Sequence, residues 1–210
     1  MLPKKPYVSF LTVLFVFVLA ACQKELALDS GSTGGGGVLI GQKPRLGTTW
    51  TYNYNVYQQD GSLLYTKVLT YKAKTAEVLG GETWLKIVDV FADTTVFYLN
   101  EKPGGLFQYT NNASNLFCKS PAAVNDTYTA FNDGSSENFT VKAVGDTIST
   151  GVGDIPANYY EGKKSGQLID LLWYNENAWI VWKVQYRNRS ILPPPVYYRY
   201  SSLYIINIVY

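Results

Sequence analysis

The sequence predicts an all-β protein: one curved antiparallel sheet, half-barrel or sandwich-like, of about a dozen strands between residues 42 and 210. Three observations carry this. Aromatic residues make up 15% of the chain, with 18 Tyr and 5 Trp, and such side chains suit a pleated, half-buried surface. Apolar residues recur with period two from Leu46 onward and nowhere with period 3.6. Turn-forming Gly, Asn, Asp and Pro residues punctuate the chain at short intervals, as hairpin connections require.

The elements follow in order. Residues 1–6 carry Lys4 and Lys5, and Tyr7 to Ala21 form an uncharged run of 15 residues, the pattern of an export signal and short of the roughly 20 needed to span a bilayer. The run ends in "LAAC", Leu19 to Cys22, which resembles the lipobox of bacterial lipoproteins, Bacteroidetes-type among them. That resemblance implies cleavage after Ala21 and acylation of Cys22. Acyl chains contribute roughly 0.8 kcal/mol per buried CH₂, so they would hold the domain on the outer membrane, on its periplasmic or cell-surface face. Residues 22–41 are a flexible tether, polar and then glycine-rich, whose stretch from Gln23 to Gly37 has an r.m.s. reach of roughly 20 Å.

In "GTTWTYNYNVY", Thr48, Trp50, Tyr52, Tyr54 and Val56 share one face and Thr49, Thr51, Asn53 and Asn55 the other. "QDGS" turns the chain into a strand from Leu63 to Lys74, and "LGGE" turns it into "TWLKIVDVF". "TTVFYLN", the turn "EKPGG" and "LFQYT" follow, and the asparagine-rich stretch Asn111 to Asn115 reads as a loop dividing the domain in two. The second half holds "DTYTAF", "NFTVKAVG", "DTIST", "ANYYEGKK", "LIDLLWYN", "WIVWKVQYRN" and the closing "VYYRYSSLYIINIVY". Pro193 to Pro195 stiffen the loop before that last strand.

The order "LGTTWTY", "GGETWLKI", "GGLFQY", "VNDTYT", "DIPANYYEGKK" and "NENAWIVWKVQY" resembles a loose group of secreted bacterial β-proteins of unknown function. Asn158 and Trp179 depart from that pattern, which has glycine at both places. The resemblance implies a curved antiparallel sheet, a half-barrel similar to periplasmic lipoprotein carriers, and brings no activity with it.

Composition narrows the chemistry. The chain has no histidine, so the usual general base near neutral pH, the serine and cysteine triads and most zinc sites are excluded. Of 18 Lys and Arg, Lys4 and Lys5 precede Cys22, which leaves 16 against 16 Asp and Glu and no basic excess for nucleic acid. Cys118, in "NLFCKS", reads as a small core residue, since Lys119 alone stands near it to favour the thiolate.

Paired carboxylates could run glycoside hydrolysis without histidine, which makes Asp60, Glu82, Asp89, Asp133, Glu137, Asp154, Asp170 and Glu176 the candidates. All but Asp89 and Asp170 fall in or beside predicted turns, where acids are ordinary solvated residues. In "AWIVWKVQY", Trp179 and Trp182 fall on opposite sides of a strand, so at least one belongs to the core rather than to a sugar platform. The expectation is therefore a non-catalytic, lipid-anchored envelope protein without metal or cofactor. Its partners would be the membrane, through the Cys22 acyl chains, and an apolar, sugar or protein ligand. The rival is a histidine-free carbohydrate-active enzyme.

Overall fold

The computed structural model describes residues 42–132, 135–188 and 197–210. Cys22, the tether, Asp133 and the Pro193–Pro195 loop lie outside them. The chain forms twelve antiparallel strands and no helix among the described residues. The first six are β1 Thr49–Tyr57, β2 Leu63–Leu79, β3 Glu82–Asp89, β4 Thr94–Lys102, β5 Gly104–Thr110 and β6 Ala113–Ser120. The second six are β7 Thr127–Asn132, β8 Ser135–Thr150, β9 Gly153–Lys164, β10 Gln167–Asn175, β11 Trp179–Asn188 and β12 Tyr197–Val209.

All twelve belong to a single sheet of order β6-β5-β4-β3-β2-β1-β12-β11-β10-β9-β8-β7, which removes the two-sheet sandwich as an option. Each half is a meander of neighbours, and the halves join where β1 pairs β12 from Thr49↔Val209 to Val56↔Ser201. The sheet curls until its edges, β6 and β7, lie side by side in a nearly closed barrel-like form. Side chains bridge that seam: the Tyr128 hydroxyl donates to the Phe117 carbonyl (3.1 Å), Tyr160 donates to the Lys119 carbonyl (2.6 Å), and Lys119 pairs with Asp126 (2.8 Å).

Three predicted elements are corrected. The asparagine stretch is no divider: Asn111 and Asn112 (φ 51° and 57°) make a tight turn, and the following residues are strand β6. "NFTVKAVG" and "DTIST" are one strand, β8, whose register slips between Val141 and Asp146 around Gly145 (φ 71°). The second strand runs on past Lys74 to Leu79, where Gly80 and Gly81 turn it with positive φ, as predicted for "LGGE".

The interior is aromatic. Trp50 stacks on Trp179 (5.2 Å between centroids), and its Nε1 donates to the Ala178 carbonyl at 2.9 Å. Tyr52 donates to the Ile180 carbonyl at 3.1 Å, so β1 is tied to the β10–β11 turn across the sheet. Trp179 takes φ 62°, a left-handed conformation rare for a bulky residue, and packs beneath Trp50. Trp182 belongs to the opposite face, stacked in a cross-strand row on Trp173 and through it on Tyr159, with both centroid spacings 4.5 Å.

Burial raises the tyrosine hydroxyls. Tyr52 and Tyr128 lie well above their ordinary value of 10.0, and Tyr71 is pushed up to about 12 by burial and then by the Asp89 charge. In each case the folded state holds the proton more tightly than the unfolded chain, whose tyrosines titrate near pH 10. Their contribution is complete below that pH and is lost as pH rises toward the folded-state values. Urea midpoints are expected to hold level up to about pH 9 and fall steeply above pH 10. Absorbance at 295 nm then shows a set of tyrosines ionising only with unfolding. Equal ionisation of all tyrosines in the folded chain would contradict this.

Candidate binding cavity

The same alternation that buries Trp50 and Tyr52 also shapes an opening. Tyr54 on β1 and Lys67, Leu69 and Tyr71 on β2 continue the interior face toward the β1–β2 hairpin. Asp89 on β3, Phe97 on β4 and Gln108 on β5 form one wall. Lys183 and Gln185 on β11, with Ser201 and Leu203 on β12, form the other, around a cavity of about 360 Å³. That volume lies at the low end for small-molecule sites.

Its chemistry is mixed. Tyr71, Phe97, Leu69 and Leu203 supply apolar wall, and Ser201 donates to the Gln185 amide oxygen (3.2 Å). Two lysines, Lys67 and Lys183, and one aspartate, Asp89, are among its lining residues. Lys67 Nζ sits 5.4 Å from the centre of the Tyr54 ring. Lys183 stands 3.6 Å from Asp170, whose side chain is only 3% exposed, so the sheet interior holds the counter-charge behind the cavity wall. Asp89 Oδ1 accepts from the Phe91 and Ala92 amides (2.9 and 3.1 Å), which commits it to the β3–β4 turn. Deeper in, beneath Tyr71 and Phe97, the apolar space between Trp50, Trp179 and Leu99 is only about 20 Å³. The aromatic core leaves no slot for an acyl chain there.

The sequence-predicted acids disperse. Asp60 accepts from the Ser62 amide and hydroxyl in the first hairpin (2.9 and 2.6 Å), and Glu82 pairs with Lys102 (2.7 Å). Asp154 takes the Ser149 hydroxyl (2.7 Å), and Glu176 takes the Ser120 hydroxyl (2.6 Å). Glu137 is corrected from a turn residue to a buried position, 4% exposed, on β8. Of these candidates only Asp89 lines the cavity, with Asp170 reaching it through Lys183. Among the described residues, no group of three or more Cys, Asp or Glu residues is placed to hold a metal ion.

Cys118 is fully buried, and burial pushes its thiol well up, with Lys183 acting weakly in the other direction. It is therefore a protonated core residue. The stacked row Tyr159–Trp173–Trp182 spends ring faces on ring faces, with planes within 11° and 19° of parallel, which is not the geometry of a sugar platform.

No family model matches this chain. No curated protein matches it either. A solved structure from Vibrio parahaemolyticus described as an outer membrane lipoprotein-sorting protein domain aligns with it, covering 78% of this chain and 85% of that one, at 8% identity and a TM-score of 0.24. A score that low carries no argument about ligand or activity. The reading of the cavity rests on its own residues.

Lys67, Gln108, Lys183 and Gln185 were not singled out by sequence. The available signal was parity: Lys67 alternates with Leu69 and Tyr71, and Lys183 with Val181, so each lysine occupies a position of the inward face.

Proposed function

We propose that this chain is a non-catalytic binding module of the bacterial envelope, anchored to the outer membrane by acyl chains on Cys22, which takes a small anionic ligand into the cavity between β1–β5 and β11–β12. The cavity itself carries the reading: two lysines, two glutamine amides and tyrosine hydroxyls converge on a space of about 360 Å³ with one carboxylate. A small molecule with a negatively charged group and a flat apolar or hydroxylated body matches that lining. The narrow apolar space beneath argues against a whole acyl chain as cargo.

Two measurements test the two halves of the proposal. In cells fed a radioactive fatty acid, wild type is expected to label and Cys22→Ala to lose the label; equal labelling removes the anchor. For the cavity, thermal unfolding is followed with aromatic carboxylates, sugar acids and matched neutral compounds. A ligand at a hundredfold excess over its Kd stabilises by about 2.7 kcal/mol. Anionic members are expected to raise the transition where their neutral counterparts do not, and Lys67→Met and Lys183→Met to weaken binding by about tenfold or more each. If neutral and anionic members act alike, the anionic reading falls.

A further inference from the structure

The cavity's two lysines differ in their surroundings. Lys183 has Asp170 at 3.6 Å, whereas Lys67, exposed on β2, stands over the Tyr54 ring and forms no ion pair among the described residues. A third cation stands nearby. Arg187 follows Lys183 and Gln185 on β11 at the same two-residue spacing, so it continues their cavity-facing side. Ser201, the partner of Gln185, is also the last β12 partner of β1, which places Arg187 beyond that ladder, at the rim. There the β11–β12 register slips: Gln185 pairs with Ser201 and Tyr186 with Arg199, leaving Tyr200 as the extra residue of a bulge. The bulge sets the Tyr200 ring against the Arg187 guanidinium, whose central carbon is 3.4 Å from the ring centre. Tyr54 is within reach of Arg187 as well as Lys67: burial raises its hydroxyl above the ordinary value, and the Arg187 charge pulls against that.

Stacking holds the guanidinium by its face and leaves its edge. The N–H donors of an arginine lie in the guanidinium plane, and among the described residues no carboxylate takes those of Arg187. We propose that Arg187 is the specificity-determining residue of the cavity, a flat fork at its rim that takes both oxygens of a carboxylate while the apolar body of the ligand points inward to Tyr71 and Phe97.

This rests on the binding reading given above and adds the ligand's direction to it. The charge pattern sets that direction. Lys67 and Arg187 are exposed, whereas Lys183 already has a buried counter-charge in Asp170. Tyr71 and Phe97, which also border the deeper apolar space, offer rings instead. A carboxylate suits the fork because its two oxygens lie in one plane and match paired N–H donors. A doubly charged phosphate would set more negative charge against Asp89 on the other wall.

The test uses the purified full-length protein, with benzoate and its neutral isostere benzamide titrated in a calorimeter. Wild type is expected to bind benzoate more tightly. Arg187→Lys keeps the charge and removes the fork; it is expected to weaken benzoate by about tenfold and to leave benzamide unchanged. Tyr200→Leu removes the platform and is expected to weaken benzoate by about threefold, while Tyr200→Phe keeps the ring and binds as wild type does. In nuclear Overhauser spectra the para proton of bound benzoate is expected to contact the Phe97 ring and not Tyr200. An Arg187→Lys protein that keeps the preference for benzoate overturns the assignment and leaves the cavity reading standing. So does a para proton against Tyr200, or phenyl phosphate binding more tightly than benzoate. A wild type that holds benzoate and benzamide alike removes the cavity reading, and the assignment falls with it.

Discussion

Trp50→Ala is expected to lower stability by about 4 kcal/mol, at the upper end for a single aromatic deletion. Trp50 is 2% exposed, its ring stacks on Trp179, and its Nε1 supplies the Ala178 carbonyl. Truncation removes the buried ring, opens a void next to an existing small one, and leaves Ala178 without that donor. Trp179 loses the partner that packs against its left-handed backbone. Trp50→Phe separates the contributions: it keeps most of the ring and loses the hydrogen bond, for about 1–3 kcal/mol. Urea unfolding followed by near-ultraviolet circular dichroism measures both. A Trp50→Ala cost under about 2 kcal/mol would contradict the packing described.

Gly105→Ala is expected to be as severe, for a different reason. Gly105 has φ 138°, and a Cβ there would stand 1.9 Å from the Cys118 carbonyl oxygen and 2.8 Å from the Ser120 amide nitrogen. Both are backbone atoms of the neighbouring strand, so no side chain can turn aside. β6 must separate from β5, exposing Phe117 and Cys118, and the loss exceeds about 4 kcal/mol. Gly104→Ala, one residue earlier, is the control: φ 102° also disfavours a side chain, but a Cβ meets nothing within 4 Å. Backbone strain alone costs about 1–3 kcal/mol. A smaller effect at Gly105 than at Gly104 would refute the steric account.

Much of the fold was legible because β1 shows its alternation openly: Thr48, Trp50, Tyr52 and Val56 are buried, as their spacing requires. The hairpins at Gly61 and at Gly80–Gly81 were legible for the same local reason, since glycine there takes positive φ. β6 escaped because two asparagines in left-handed conformation form a turn as tight as Asn-Gly, while their polar neighbours resemble a loop. β8 was split because Gly145 and Asp146 punctuate it, yet a bulge absorbs both without ending the strand.

The cavity was legible only in fragments. Tyr54 and Lys67 are partners across the local β1–β2 hairpin, but Gln185 and Ser201 meet them through the β1–β12 pairing, whose register depends on both halves folding. Asp89 and Asp170 stood out as acids inside apolar strands, and the structure places both at or behind the cavity wall in supporting positions. Their carboxylates hold a turn and a lysine rather than form a pair.

The pairing of β1 with β12 has a kinetic consequence. Every other ladder joins strands adjacent in sequence, whereas Thr49 meets Val209 across nearly the whole domain. Closing a loop of that length costs about 4–5 kcal/mol of chain entropy, against about 1–2 kcal/mol for a hairpin. Each six-stranded half can zip locally, but the halves must wait for one long-range encounter before either buries its aromatic face. If the β1 and β12 ends were joined and the chain opened at the β6–β7 seam, the same sheet would become a strict up-and-down meander. Its high contact order would vanish while its ladders stayed the same.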